Sequence, residues 1–408
     1  MKITRDKLYD TAFRYKKAGL WKKLWDNDVF AVKLSSGETG FISILGKNGE
    51  YNALNLYIGE EGFRSYRKMA DYATDFNRSP FKDHEMLLQQ VCLQMALEEK
   101  DFIMPEELDE VRAYAKKNDI RLSGKNAYPQ FIKYERFCHP WKVKTDEDAK
   151  ALYEALEVAA LVAEELKHKK PVDIGIGRIH PFTEEVPLFI VKDGKLQSLG
   201  YVPLPQDAEE EYSPVIAESE LDVAKLKKLK KKGTWETELI TMMQPVQEDP
   251  EETPYYPLML LVVGSRDGYM LPVPMIERAD KNPQGLLTSF AEGWKKFRYG
   301  PKELRCRDER TFALLKDICE KSGIGIKLYE GAMHALDDAE NALLERTEGA
   351  DEDQVMDMVG SLLEISDEEL RSMPQPLVDQ LWYMIENDML PEDIAQELAE
   401  KLKRMYIL

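Results

Sequence analysis

Pro257-Leu-Met-Leu-Leu-Val-Val263, a turn through Asp267-Gly268, and Tyr269-Met-Leu-Pro-Val-Pro-Met-Ile276 set the reading of this chain. Two apolar runs joined by Asp-Gly predict a β-hairpin, because glycine accepts the positive φ of a tight turn. A helix is expected next: Asn282 offers an acceptor to the free amides of a first turn, and Pro283 suits its first position. Leu287, Phe290, Ala291, Trp294 and Phe297 then fall on one face at helical spacing.

Similar punctuation appears twice upstream. Gly40-Phe-Ile-Ser-Ile-Leu45 meets Tyr51 to Ile58 through Asn48-Gly49, and Val186 to Val191 meets Lys195 to Leu204 through Asp193-Gly194. Three such hairpins with helices downstream suggest duplication of one plan, and the short runs Ile120-Arg-Leu122 and Ile326-Lys-Leu328 after helices add to it. Helices are expected from about Thr4 to Lys17, Glu60 to Tyr72, Asp83 to Glu98, Glu218 to Lys232, and onward from Pro105, Thr145 and Asp308. The fold class is therefore α+β: two mixed domains of antiparallel hairpins and meanders covered by helices, followed by an all-helical C-terminal tail. Lys167-His-Lys-Lys-Pro171 reads as the boundary, giving domains at 1–170 and 171–350 and a tail at 351–408.

The chain of 408 residues has a net charge of −19. Residues 335–408 hold 20 acidic and 5 basic side chains, a net of −15, which leaves −4 for everything before them. A tail of that sign repels nucleic acid and anionic membranes. The six lysines between Lys225 and Lys232 read as the solvated end of a helix, since neither aromatics nor arginines interleave them, so nucleic acid is not the expected partner. No run of eighteen apolar residues exists and Met1-Lys-Ile-Thr-Arg-Asp-Lys7 does not open an apolar signal core, so a cytoplasmic protein without membrane attachment is expected.

Candidate chemistry is sparse. Cys138-His139 places an imidazole beside a thiol, the pairing a cysteine nucleophile needs, although no oxyanion donors are evident nearby in sequence. Lys125, Asn126 and Tyr128 form a polar-aromatic loop of the kind that carries binding, and Arg305, Arg307 and Arg310 flank a helix start where an anionic group fits. Cys92, Cys138, Cys306 and Cys319 lack any C-x-x-C pair, and the five histidines are far apart, so no metal is expected. Gly175-Ile-Gly177 lacks the third glycine of a dinucleotide loop, and no cofactor is expected.

Leu8-Tyr-Asp-Thr-Ala-Phe-Arg-Tyr-Lys-Lys17, Asn55-Leu-Tyr-Ile-Gly-Glu-Glu-Gly-Phe63, Gly124-Lys-Asn-Ala-Tyr-Pro-Gln-Phe131, and Trp294 with Arg305-Cys-Arg-Asp-Glu-Arg310 together resemble an uncharacterised bacterial family that pairs two domains of unknown function. The resemblance spans about residues 1–350, implies a bacterial cytoplasmic setting and a cut near residue 170, and transfers no catalytic residue. The expectation is a non-catalytic binding or regulatory protein that meets a protein partner; the rival is a hydrolase-type enzyme whose site lies at the domain cleft.

Overall fold

The computed structural model describes residues 4–49, 51–72, 80–206, 212–247, 249, 251–344 and 399. Apart from the single residue 399, the helices expected beyond residue 351 lie outside the described residues. By compactness the chain resolves into one unit of Met1–Val262 with Leu271–Glu330, and another of Val263–Met270 with Gly331–Leu408.

Helix α1 (Arg5–Ala18) begins where Thr4 accepts from the Lys7 amide and ends at Gly19, whose φ of 63° lets its N–H reach Tyr15 O. Strands β1 (Phe30–Lys33), β2 (Thr39–Leu45) and β3 (Asn52–Ile58) form the expected antiparallel meander, with Asn48-Gly49 at the second turn. Helices α2 (Gly59–Tyr72) and α3 (Pro80–Leu87) follow, then strand β4 (Cys92–Glu98), helix α4 (Pro105–Lys117), and strands β5 (Tyr128–Tyr134) and β6 (Trp141–Lys142).

Here two expectations are corrected. The helix predicted from Asp83 to Glu98 stops at Leu87, and residues 92–98 become an interior strand between β3 and β5. Buried side chains on both faces of β4 mimic a helical stripe, so periodicity alone misleads. Ile120–Leu122 is irregular: Ile120 N donates to Ala115 O, and both aliphatic side chains pack on the core without joining a ladder.

Helix α5 (Asp146–Glu165), capped by Thr145 accepting from Asp148 N, lies with α1 over the first face of the sheet. Strands β7 (Glu185–Lys192) and β8 (Lys195–Pro203) make the middle hairpin, but β7 runs parallel to β1, with Ala31 opposite Leu188. The resulting sheet has the order β6-β5-β4-β3-β2-β1-β7-β8, so residues beyond the expected cut at 170 complete it. Leu8, Ala12 and Tyr15 from α1, Leu152, Leu156 and Ala159 from α5, and Ile42, Leu54, Met95 and Phe131 from the strands form the main core. On the opposite face α2 covers one part of the sheet, packing Phe63 at a tilt against Phe41 with ring centroids 4.6 Å apart and Tyr66 edge-on to Tyr57 at 5.2 Å.

Helix α6 (Glu220–Lys228) is shorter than expected. The chain then pairs as strand β9 (Lys230–Lys231) and continues as β10 (Thr234–Thr241) and β11 (Leu258–Gly264). The Asp267-Gly268 turn forms, with Gly268 at φ 65° donating to Gly264 O. Its second arm is not a strand: only Met270 bridges to Val263. Pro272 and Pro274 have no N–H to donate, which ends the ladder. Leu271 and Val273 turn instead to helix α7 (Pro283–Gly293), where a Cβ on Gly293 would sit 3.0 Å from Leu271 and 3.3 Å from Val273. Asn282 caps α7 by accepting from Gly285 N at 2.9 Å, as its sequence signals.

Strands β12 (Tyr299–Gly300) and β13 (Glu303–Cys306), helix α8 (Glu309–Ser322) and strand β14 (Gly325–Leu328) close the unit. The second sheet, ordered β11-β10-β13-β14, departs from the up-and-down arrangement expected: β10, β13 and β14 are mutually parallel, with α8 as the crossover from β13 to β14. This arrangement and the middle hairpin's place in the first sheet argue against a duplicated plan. Leu239, Leu260, Val262, Leu287, Phe290, Trp294, Leu315 and Cys319 form the second core.

Candidate functional site

Strand pleating sends alternate residues of β2, β3 and β4 to opposite faces of the large sheet. One set is aliphatic and buried under α1 and α5. The other includes Ser43, Asn55 and Gln94, which stand directly opposite one another across three strands. All three are buried, so each polar group needs a partner. Gln94 Nε2 donates to Asn55 Oδ1 at 2.8 Å, Asn55 Nδ2 donates to Tyr57 Oη at 3.2 Å, and Ser43 Oγ donates to Asp26 O at 2.6 Å. The remaining acceptor, Gln94 Oε1, takes the Tyr51 hydroxyl at 2.8 Å and the Tyr134 hydroxyl at 3.4 Å.

Those two tyrosines stand in the wall of a 580 Å³ cleft between the edge of this polar row and the loops after β4 and β5. Glu98, Asn126, Gln130 and His139 also line it, with Phe102 and Ile132 supplying apolar surface. Asn126 adopts φ 56°, a left-handed conformation that asparagine tolerates better than most residues. His139 is fixed from the second part of the chain: its N–H donates to Pro254 O at 2.9 Å, and Nδ1 lies 3.0 Å from Tyr256 Oη. Burial lowers its pKa below the usual imidazole range, so the ring is neutral at pH 7. Burial raises the Glu98 carboxyl, against the opposing hydrogen bond from Tyr51. Burial likewise holds the phenols of Tyr51 and Tyr134 well above their ordinary range, keeping them protonated. Tyr134 gives its proton to Gln94, while the single proton of Tyr51 is divided between Gln94 Oε1 and the Glu98 carboxyl, so two phenol protons serve this wall and the remaining lone pairs are acceptors.

The residues singled out from sequence scatter. His139 and Asn126 come together in this cleft. Cys138 does not join His139: it is 7% exposed, and its sulfur accepts from Arg278 Nη1 at 3.6 Å while His139 engages Tyr256. Tyr128 opens β5 opposite Glu98 and packs in the main core. Lys125 is solvent-exposed, with its ammonium 3.8 Å from Glu99. Tyr51, Gln94, Glu98, Gln130 and Tyr134 went unread, because recognising them requires knowing that residues 92–98 are a strand.

The three arginines occupy ion pairs. Arg305 Nε lies 3.0 Å from Glu303 and its guanidinium sits 4.3 Å over the Tyr329 ring. Hydrogen bonds from Lys327 and Arg305 hold Glu303 below the usual carboxylate range. Arg307 meets the fully buried Glu238 at 3.2 Å, and Arg310 meets Glu85 at 2.6 Å while covering the Phe137 ring. Lys82 of α3 completes the set, 2.5 Å from Glu238 and 3.8 Å from Asp308 at the α8 N-cap. Burial opposes the charge on Lys82, but Glu238, Asp308 and Glu85 outweigh it and raise its pKa. This balanced cluster of three acids and three bases fastens α3 to β10 and to the start of α8. Among the described residues no three His, Cys, Asp or Glu side chains gather as a metal-binding set, and no helix is long and apolar enough to cross a membrane.

Two family models match the chain: a domain of unknown function (DUF7309) over residues 6–176, and a domain of unknown function (DUF6930) over residues 222–344. The chain pairs these two domains, and the ion-pair cluster and the His139–Tyr256 contact both run between the matched stretches. No curated protein and no solved structure matches it.

Proposed function

We propose that this chain is a non-catalytic binding protein of the bacterial cytoplasm whose cleft receives a donor-bearing side chain, an ammonium or guanidinium, from a protein partner. The carrying observation is the surplus of acceptors in the cleft wall: Tyr51 and Tyr134 bring two protons to be shared among Gln94 Oε1 and the Glu98 carboxyl, which leaves phenol and carboxyl lone pairs unused. Among the described residues no lysine or arginine lines that cleft, and Lys125 approaches only Glu99, so Glu98 is left to meet an incoming basic group. Phe102, 74% exposed beside it, supplies the apolar contact that such a side chain's stem needs. The amide relay is buried and pre-formed, which lowers the ordering cost of binding.

The test replaces Phe102 with a photoreactive phenylalanine analogue in the full chain and irradiates cells. A discrete protein cross-linked at residue 102, and lost when Glu98→Gln and Tyr51→Phe are added together, supports the reading. Cross-linking that is absent, or unchanged by those substitutions, overturns it.

A further inference from the structure

The lysine run that sequence places at the end of one helix is divided by the fold. Helix α6 stops at Lys228, and Lys230–Lys231 pair in parallel with Tyr299–Gly300, Lys230 standing opposite Tyr299. Lys232 N donates to Gly300 O and Lys302 N to Gly233 O, both at 2.9 Å, which extends the alignment at its far end. Two stretches almost seventy positions apart are thereby joined at 230–233 and 299–302: residues 225–232 carry six lysines, and residues 295–302 carry Lys295, Lys296, Arg298 and Lys302. Neither stretch contains an acidic residue.

The cations face water. Lys225, Lys227, Lys228, Lys230, Lys232, Lys295, Lys296, Arg298 and Lys302 are all exposed. Lys225 pairs with Asp222 at 2.7 Å, and Lys231 turns inward to donate to Leu226 O. Lys227, Lys228, Lys230, Lys295, Lys296, Arg298 and Lys302 form no ion pair among the described residues. A protein of net charge −19 that leaves seven exposed cations without an ion pair on two stretches joined by one ladder has a local field there opposite to its overall sign. Among them Tyr299 is 48% exposed, with the Lys232 ammonium 5.4 Å from its ring centre. The aromatic and the arginine missing from the lysine run in sequence are thus supplied by its neighbour in the ladder.

We propose that the β9–β12 ladder and its flanks form a binding face for single-stranded nucleic acid. The unpaired lysines and Arg298 meet successive phosphates, and Tyr299 stacks on a base. A single strand is favoured over an acidic peptide by that exposed ring, since every base has a π-face to offer while Asp and Glu side chains have none. The inference stands independently of the cleft, which shares no residue with this face.

The experiment measures fluorescence anisotropy of labelled twelve-nucleotide dT and rA probes with the full chain across a salt series, with poly-glutamate as an unlabelled competitor. Binding is expected at low salt, with log affinity falling against log salt with a slope of about −3, the value for roughly four phosphates contacted by a single-strand binder. Lys230→Glu with Lys296→Glu should abolish it. Tyr299→Ala, a surface change that spares the cations, should weaken it roughly fivefold or more. The proposal is overturned if neither probe binds at low salt, or if binding is indifferent to the charge reversals. It is equally overturned if poly-glutamate displaces the probes at matched charge and Tyr299→Ala has no effect, which would assign the face to an acidic protein.

Discussion

Glu107, in the first turn of α4, permits a pH test whose size follows from the structure. Its side chain is 1% exposed, its Oε2 accepts from Phe131 N at 3.0 Å, and its Oε1 lies 3.5 Å from Arg5 Nη2. Burial pushes its pKa up from 4.5 to about 7, outweighing the Phe131 amide and the Arg5 charge that pull it down. The folded state therefore holds this proton more tightly than the unfolded chain. The stabilisation is complete below pH 4.5, is lost as pH rises, and is gone above pH 7. A shift from 4.5 to about 7 at 1.36 kcal/mol per unit corresponds to about 3 kcal/mol. Glu107→Gln mimics the protonated form and keeps an acceptor for Phe131 N. Arg5, Glu110, Lys142 and the Tyr9 phenol, which face the carboxyl, remain in both proteins and largely cancel in the difference. Urea unfolding of both proteins, followed by tryptophan fluorescence between pH 5 and pH 8, is the assay. The variant should gain about 2.5 kcal/mol on the parent between pH 5 and pH 8, the part of the shift that falls inside that interval. Curves that stay parallel would refute the assignment of a buried, high-pKa carboxyl to Glu107.

Other perturbations test the packing. Lys82→Met strands part of the buried Glu238 charge and should cost about 3 kcal/mol in urea unfolding, whereas adding Glu238→Leu should recover most of that loss. Trp294, 1% exposed against Trp235, Phe290 and Phe297, should cost about 3–5 kcal/mol when cut to alanine, with a lowered midpoint in thermal unfolding. A Cβ at Gly62 would meet the Tyr57 carbonyl carbon at 2.9 Å, so Gly62→Ala should displace α2 from β3 and destabilise by about 1–3 kcal/mol in the same assay.

What was legible in the sequence was local chemistry. Thr145, Asn282 and Asp308 cap the helices expected to begin at them, Thr4 caps a helix expected to begin with it, and Gly19 and Gly323 end theirs in left-handed conformations. These devices depend on a few consecutive residues, so a linear reading captures them. Pairings across long separations were not legible. Nothing local tells that β1 takes β7 as a parallel neighbour, or that Lys230 meets Tyr299. The site failed for the same reason. His139 and Asn126 were visible as distinctive loop residues, whereas Gln94 and Glu98 were hidden in a stretch whose two buried faces imitate a helix. The arginines drew notice for their charge, and only the fold shows that Arg307 and Arg310 are committed to Glu238 and Glu85.

The acceptor-lined cleft is the central claim, and hydrogen exchange tests it most directly. Exchange of the full chain should be measured alone and with the protein captured through residue 102. Protection concentrated in residues 51–57, 92–104 and 126–139 is the expected result. Protection that leaves those segments unchanged and falls elsewhere would contradict it.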